Sequence, residues 1–322
     1  MRRTIILLIV LCCILLGGCG NKDSGTHADH GSTASGPAAA GTSESTDTIA
    51  ARDNTPTVLV PSADGTESYG SDTVSIDISN TSEGYVMVQY TGNNPKVKLQ
   101  VGTPGGDTYT YLLSQDRMYE AFPLSGGNGP YTFTVLENVE GDMYSVAFDQ
   151  NAEVQIKDEF LPFLYPNQYV DFASDSTAVA KGKELAAGAG SELEVITNIY
   201  HFVTENIVYD TDKASSVEYG YLPDIDETLS TQKGICFDYA ALTAAMLRSQ
   251  RIPTRLEVGY AGDAYHAWIS CYVEEIGWID DIIEFDGSSW SLMDPTFAAS
   301  TSSRDLKKFI GDGSNYVVKY YY

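Results

Sequence analysis

The hydrophobic period of this chain changes once, and that change limits its possible folds more than any other feature. From about Thr57 to Ile156, apolar residues alternate with polar ones. Val74, Ile76 and Ile78 form one such run, Val97, Leu99 and Val101 a second, and Tyr131, Phe133 and Val135 a third. Side chains of a strand point alternately to its two faces, so this pattern marks half-buried strands. Turn signals separate the runs, at Gly92-Asn93-Asn94-Pro95, Gly105-Gly106-Asp107 and Gly126-Gly127-Asn128-Gly129. Together they predict an N-terminal all-β, sandwich-like domain over residues 57–156. It holds no His and no Cys, so a spacer or binding module is the default reading.

Helical spacing takes over after a Pro- and aromatic-rich connection, Lys157 to Asp171, which is expected to pack against the second domain. Ser176 to Ala189 is Ala-rich. Ser191 followed by Glu194 makes a capping box, and Leu193, Ile196, Tyr200, Val203 and Ile207 then mark one helix face. His201 falls off that face and is expected in solvent. An acidic loop, Thr211 to Ser230, could cover a cleft. Gly234-Ile235-Cys236 opens an Ala-rich helix that runs to about Gln250. Arg255 to Tyr260, Tyr265 to Val273 and Trp290 to Asp294 read as three strands. Residues 157–322 are therefore expected to form an α+β domain, separable from the β-rich one.

The chain has 322 residues, 43% of them hydrophobic, which suffices for two ordinary domains. Its formal net charge of −25 repels phosphate backbones, so nucleic acid is excluded as a partner. Met1-Arg2-Arg3 followed by the apolar run Ile5 to Leu16 reads as an export signal. Leu16-Gly17-Gly18-Cys19 resembles a bacterial lipobox, which implies cleavage after residue 18 and a lipid on Cys19. The expected location is the extracytoplasmic face of a bacterial membrane, held by that lipid. Residues 19–56 are small and polar and read as a flexible tether. His27 and His30 within it are read as solvated.

Cys12 and Cys13 leave with the signal and Cys19 carries lipid, so only Cys236 and Cys271 remain. Cys236 sits in the first turn of its helix, where unpaired amides and the dipole favour a thiolate, and its pKa is expected below the free value of about 8.5. On the strand Tyr265 to Val273, His266, Trp268 and Ser270 share one face; Ala267, Ile269 and Cys271 share the other. If His266 faces the helix of Cys236, Cys271 faces away, which disfavours a disulfide between them. A nucleophilic Cys needs a base and a carboxylate to orient that base. Of the four histidines, two lie in the tether and one off a helix face, leaving His266. Asp294, at the end of the third strand, can accept its imidazole N–H.

These residues resemble a known family. Gly234-Ile235-Cys236, Tyr265-His266-Ala267-Trp268 and Met293-Asp294-Pro295-Thr296 are similar to the three signature blocks of the transglutaminase-like superfamily. Thirty positions separate Cys236 from His266 and twenty-eight separate His266 from Asp294. Arg248 and Ile252-Pro253-Thr254-Arg255 resemble the segment that links helix to strand. The likeness covers roughly Ala178 to Phe297, and departs from the family in the long acidic stretch Gly277 to Gly287. It implies a papain-like α+β fold with Cys236 as nucleophile, His266 as base and Asp294 as orienter. Gln232 is an oxyanion candidate beside the Cys236 N–H, and Trp268 a candidate wall of the substrate site. No cofactor or metal is implied; Asp210-Thr211-Asp212 begins like a calcium loop but lacks its Gly and terminal Glu. The expected activity is acyl transfer at peptide, protein or cell-wall peptide amides, by hydrolysis or transamidation. The alternative is a non-catalytic surface module that binds such material on the same fold.

Overall fold

The computed structural model describes residues 52–261, 264–279, 283–285, 290–292 and 316–322. The export signal, Cys19, most of the tether, His27, His30 and Asp294 lie outside these residues. Eight strands come first: β1 (Ser68–Gly70), β2 (Val74–Asp77), β3 (Tyr85–Tyr90), β4 (Val97–Gly102), β5 (Thr108–Leu112), β6 (Tyr119–Pro123), β7 (Gly129–Glu140) and β8 (Met143–Val154). They form two four-stranded sheets, ordered β1-β2-β3-β6 and β5-β4-β7-β8. Every pairing in both is antiparallel. The alternation of the sequence sets the register: Leu99 lies opposite Tyr111 on one side and Val135 on the other. Val97, Leu99 and Val101 are buried, whereas Lys98 and Gln100 are half-exposed. The inward residues of both sheets meet in one apolar cluster, as removal of one face of each sheet from water requires.

The connection after β8 is packed. Phe163, Val170 and Phe172 are buried. Gln168 Nε2 donates to the Leu112 carbonyl at 2.6 Å and to Glu120 at 2.7 Å. Next come α1 (Thr177–Ala186), α2 (Glu192–Asn206), β9 (Val208–Tyr209), α3 (Thr211–Ser216), α4 (Ile225–Thr231), β10 (Lys233–Gly234) and α5 (Cys236–Ser249). Ser191 caps α2 as its sequence suggests, accepting from Glu194 N at 3.2 Å. The Glu194 carboxylate returns to Gly190 N at 2.6 Å, one residue earlier than a capping box has it. His201 is exposed.

The remaining strands are β11 (Thr254–Ala261), β12 (Ala264–Val273), β13 (Gly277–Ile279), β14 (Ile283–Phe285), β15 (Trp290–Leu292) and β16 (Tyr316–Tyr321). A four-stranded sheet runs β13-β12-β11-β16. The strand at Trp290 pairs with β14 in a separate two-stranded ladder and not with β12, whose hydrogen-bonded neighbours are β11 and β13. Helix α5 lies against β11 and β12 and is surrounded by α1, α2 and α4. Every residue from Asp238 to Ser249 on it is buried. A helix enclosed on all sides approaches its neighbours closely only with small side chains, which accounts for Ala240, Ala241, Ala244 and Ala245. Ala50–Tyr322 forms one compact unit. Among the described residues no helix is long and apolar enough to cross a membrane.

Candidate active site

The start of α5 is built by its own first turn. Strands β9 and β10 pair in parallel and deliver the chain to Ile235. The Asp238 carboxylate then folds back and accepts from Ile235 N at 2.8 Å, satisfying one of the orphan donors of a helix N-terminus. Gly234 is required by this turn, because a Cβ there would sit 2.7 Å from Asp238 Cβ. Cys236 is thus the first residue of α5 and is partly exposed.

Strand β12 brings His266 to the same place. The backbone amide of Ala267, the residue after His266, favours the charged form of the Cys236 thiol, as do the amides of Phe237 and Cys236 itself. Cys236 and His266 line one cavity of about 560 Å³. Its wall includes residues 214 and 217–222, the acidic loop expected over a cleft, here carrying α3 and followed by α4. Seven tyrosines line it in all, among them Tyr169, Tyr209, Tyr219, Tyr265 and Tyr322. Glu218 is its only charged side chain among the described residues.

The protonation state differs from the expectation of a lowered thiol pKa. Burial pushes the Cys236 thiol up, and Asp238 adds repulsion; the three N–H donors pull the other way and lose. Burial likewise lowers His266 below the usual 6.5 of a histidine. Both directions favour the neutral forms at pH 7, a thiol at Cys236 and an imidazole at His266.

Trp268 lies 6.2 Å from His266, ring centroid to centroid, with the planes 21° apart. It is fully buried and is not among the cavity-lining residues. Gln232 terminates α4 in the left-handed region, φ 54°, and its carbonyl accepts from Val208 N. It is exposed and is not among the cavity-lining residues. Cys271 is buried and no disulfide joins it to Cys236. Asp210 caps α3, accepting from Lys213 N at 2.9 Å. Sequence reasoning gave no role to the tyrosines of the wall or to Lys213 and Tyr221, which grip Asp238. The only prior signal was a tyrosine count of 22.

Residues 179–281 match the family model of the transglutaminase-like superfamily, and the chain carries a transglutaminase-like domain there. The match includes Cys236 and His266 and ends before Asp294. A UPF0252 protein of Methanocaldococcus jannaschii is 33% identical over 113 residues, which cover 31% of this chain and 30% of that protein. The chain thus spans less than a third of the length of this relative. Among solved structures, a candidate cysteine protease from Cytophaga hutchinsonii is 15% identical, with a TM-score of 0.36 over 80% of this chain and 73% of that one. Red sea bream transglutaminase is 13% identical, with a TM-score of 0.24 over 66% of this chain and 48% of that one.

Proposed function

We propose that the chain is a surface-anchored, cysteine-dependent acyl-transfer enzyme acting on peptide or protein amides through Cys236, His266 and Asp294. The observation that carries this reading is the shared cavity, lined by both Cys236 at the start of α5 and His266 on β12. Neutral His266 takes the thiol proton as the sulfur attacks the amide carbonyl carbon. The Cys236 N–H is assigned to the oxygen that gains charge. The C–N bond breaks and the imidazolium returns its proton to the leaving amine. Water, deprotonated by the same imidazole, or a second amine then resolves the thioester. Asp294 is assigned to orient the imidazole by its family position.

The second reading, a peptide-binding module, draws support from the raised thiol pKa and the aromatic cavity. A peptide-amide mixture incubated with the full chain separates the two. Release of new termini, ammonia or isopeptide bonds that disappears in Cys236→Ala supports the enzyme. Binding with no turnover, equal in wild type and Cys236→Ala, removes it.

A further inference from the structure

Asp238 is a liability for a thiolate two residues away. It is fully buried, and its charge raises the Cys236 thiol. The capping bond to Ile235 N requires a carboxylate or an equivalent acceptor there. The segment 211–222 answers this. Lys213 Nζ lies 2.8 Å from Asp238 Oδ2, and Tyr221 OH donates to Oδ1 at 2.5 Å. Lys213 also donates to Tyr221 OH at 2.6 Å and sits 4.4 Å from the centre of its ring. Burial works against the Lys213 ammonium, but its bonds to Asp238 and Tyr221 outweigh it, so the cation is retained. The same segment forms a wall of the cavity, so one ion pair both docks the wall and compensates the charge at the nucleophile helix.

We propose that Lys213 is a positioning residue for Cys236: its ammonium, held on Asp238 with Tyr221, neutralises the buried carboxylate in the first turn of α5 so that the thiol can ionise. This rests on the reading of Cys236 as the nucleophile. The ionisable groups that act on the thiol are Asp238 on α5 and Tyr209 on β9; His266 on β12 and Glu218 and Tyr221 on the wall segment line the same cavity, and Lys213 reaches Cys236 only through Asp238. Both tyrosines are raised by burial, Tyr221 to about 12, and His266 is lowered. Among these described residues, Lys213 is therefore the cation present at neutral and mildly alkaline pH.

The test is the pH dependence of Cys236 alkylation by iodoacetamide in the full chain, read by peptide mass spectrometry. Lys213→Met should move the midpoint up by about one pH unit, a roughly ten-fold loss of labelling rate on the rising limb. Lys213→Gln, which keeps a donor to Asp238 but no charge, should shift it equally and serves if the Met variant does not fold. Lys213→Arg should stay near wild type. Lys213→Met/Asp238→Asn should return the midpoint, because the uncompensated charge is gone. An unchanged midpoint in both neutral variants, or a shift that Asp238→Asn fails to reverse, overturns the proposal and leaves Lys213 as a strut. Protection of Cys271 reports that each variant is folded. Wild-type Cys236 labelling no faster than Cys271 would instead sink the nucleophile reading.

Discussion

Arg248 is buried and donates to three backbone carbonyls. Its Nε and Nη2 donate to the Thr254 carbonyl at 3.0 and 2.8 Å, Nη1 to Tyr165 O and Nη2 also to Tyr322 O, each at 2.7 Å. Burial lowers its pKa to about 9, which still leaves it charged at pH 7. Only a planar fork of donors reaches three carbonyls at once. Arg248→Met should therefore cost on the order of 3 kcal/mol, because buried acceptors lose their donors; urea denaturation reads it, and a change below about 0.5 kcal/mol would refute the role. For the active-site pair, the direction of both shifts fixes a pH profile. His266 must be neutral to act as base, and burial lowers it, so the acid limb of turnover should fall below pH 6.5. An acid limb above 6.5 would contradict this. His266→Ala should slow Cys236 alkylation near neutral pH by removing the proton acceptor. The place of Cys236 at a helix start was legible, because Gly234-Ile235-Cys236 ahead of an Ala-rich run is a local signal. The proton states were not, because burial is set by the cavity wall and by strands distant in sequence.

Among the elements, α1 shows how far a local reading reaches. Its sequence suggests a start at Ser176, and the helix does begin at Thr177. Yet Ser176 makes no cap to α1; its Oγ accepts from Ala173 N. The orphan donors of α1 go to Asp226 of α4, whose carboxylate accepts from Thr177 N, Thr177 Oγ1 and Ala178 N at 3.2, 2.8 and 2.9 Å. An anion at a helix N-terminus is stabilised by those donors and by the dipole. Asp226→Ala should cost about 1–2 kcal/mol and Ser176→Ala less; the reverse order in thermal or urea unfolding would show that α1 is capped locally. Similar limits explain the other elements. β2, β4 and β7 were readable because their alternation meets one buried face. α3 was not, since it is a single polar turn, and β16 was not, since Val317-Val318-Lys319-Tyr320-Tyr321 gives no clean alternation and its place beside β11 comes from long-range pairing. The ladder of β14 with β15 was also invisible, because partner choice among short strands is a tertiary decision.

At the scale of the molecule, the lipid on Cys19 remains a proposal that Cys19→Ser tests: the variant should lose membrane association, and a cleaved product still on the membrane would refute it. The described body raises a different question, whether its β-rich and α/β parts unfold separately, as the change of period suggests. The contacts argue for coupling. Tyr109 and Tyr111 of β5 meet Tyr322 with ring centroids 5.5 and 5.8 Å apart, and Tyr111 meets Tyr169 at 5.5 Å. Ser125 Oγ donates to the Tyr321 carbonyl at 2.7 Å. Tyr111 is almost wholly buried and also packs on Phe122. Buried aromatic area of this kind dominates packing energy, and its loss cannot be confined to one side of the seam. Tyr111→Ala should destabilise the protein by about 3–5 kcal/mol, the range for emptying a buried aromatic site. Hydrogen exchange of β4 reports the first part, and alkylation of Cys271 reports the second. In rising denaturant both should open at one midpoint in the wild type, and Tyr111→Ala should lower both together. Opening of β4 at a denaturant concentration that leaves Cys271 protected would show that the seam does not couple the two parts, and that the chain folds as separable domains after all.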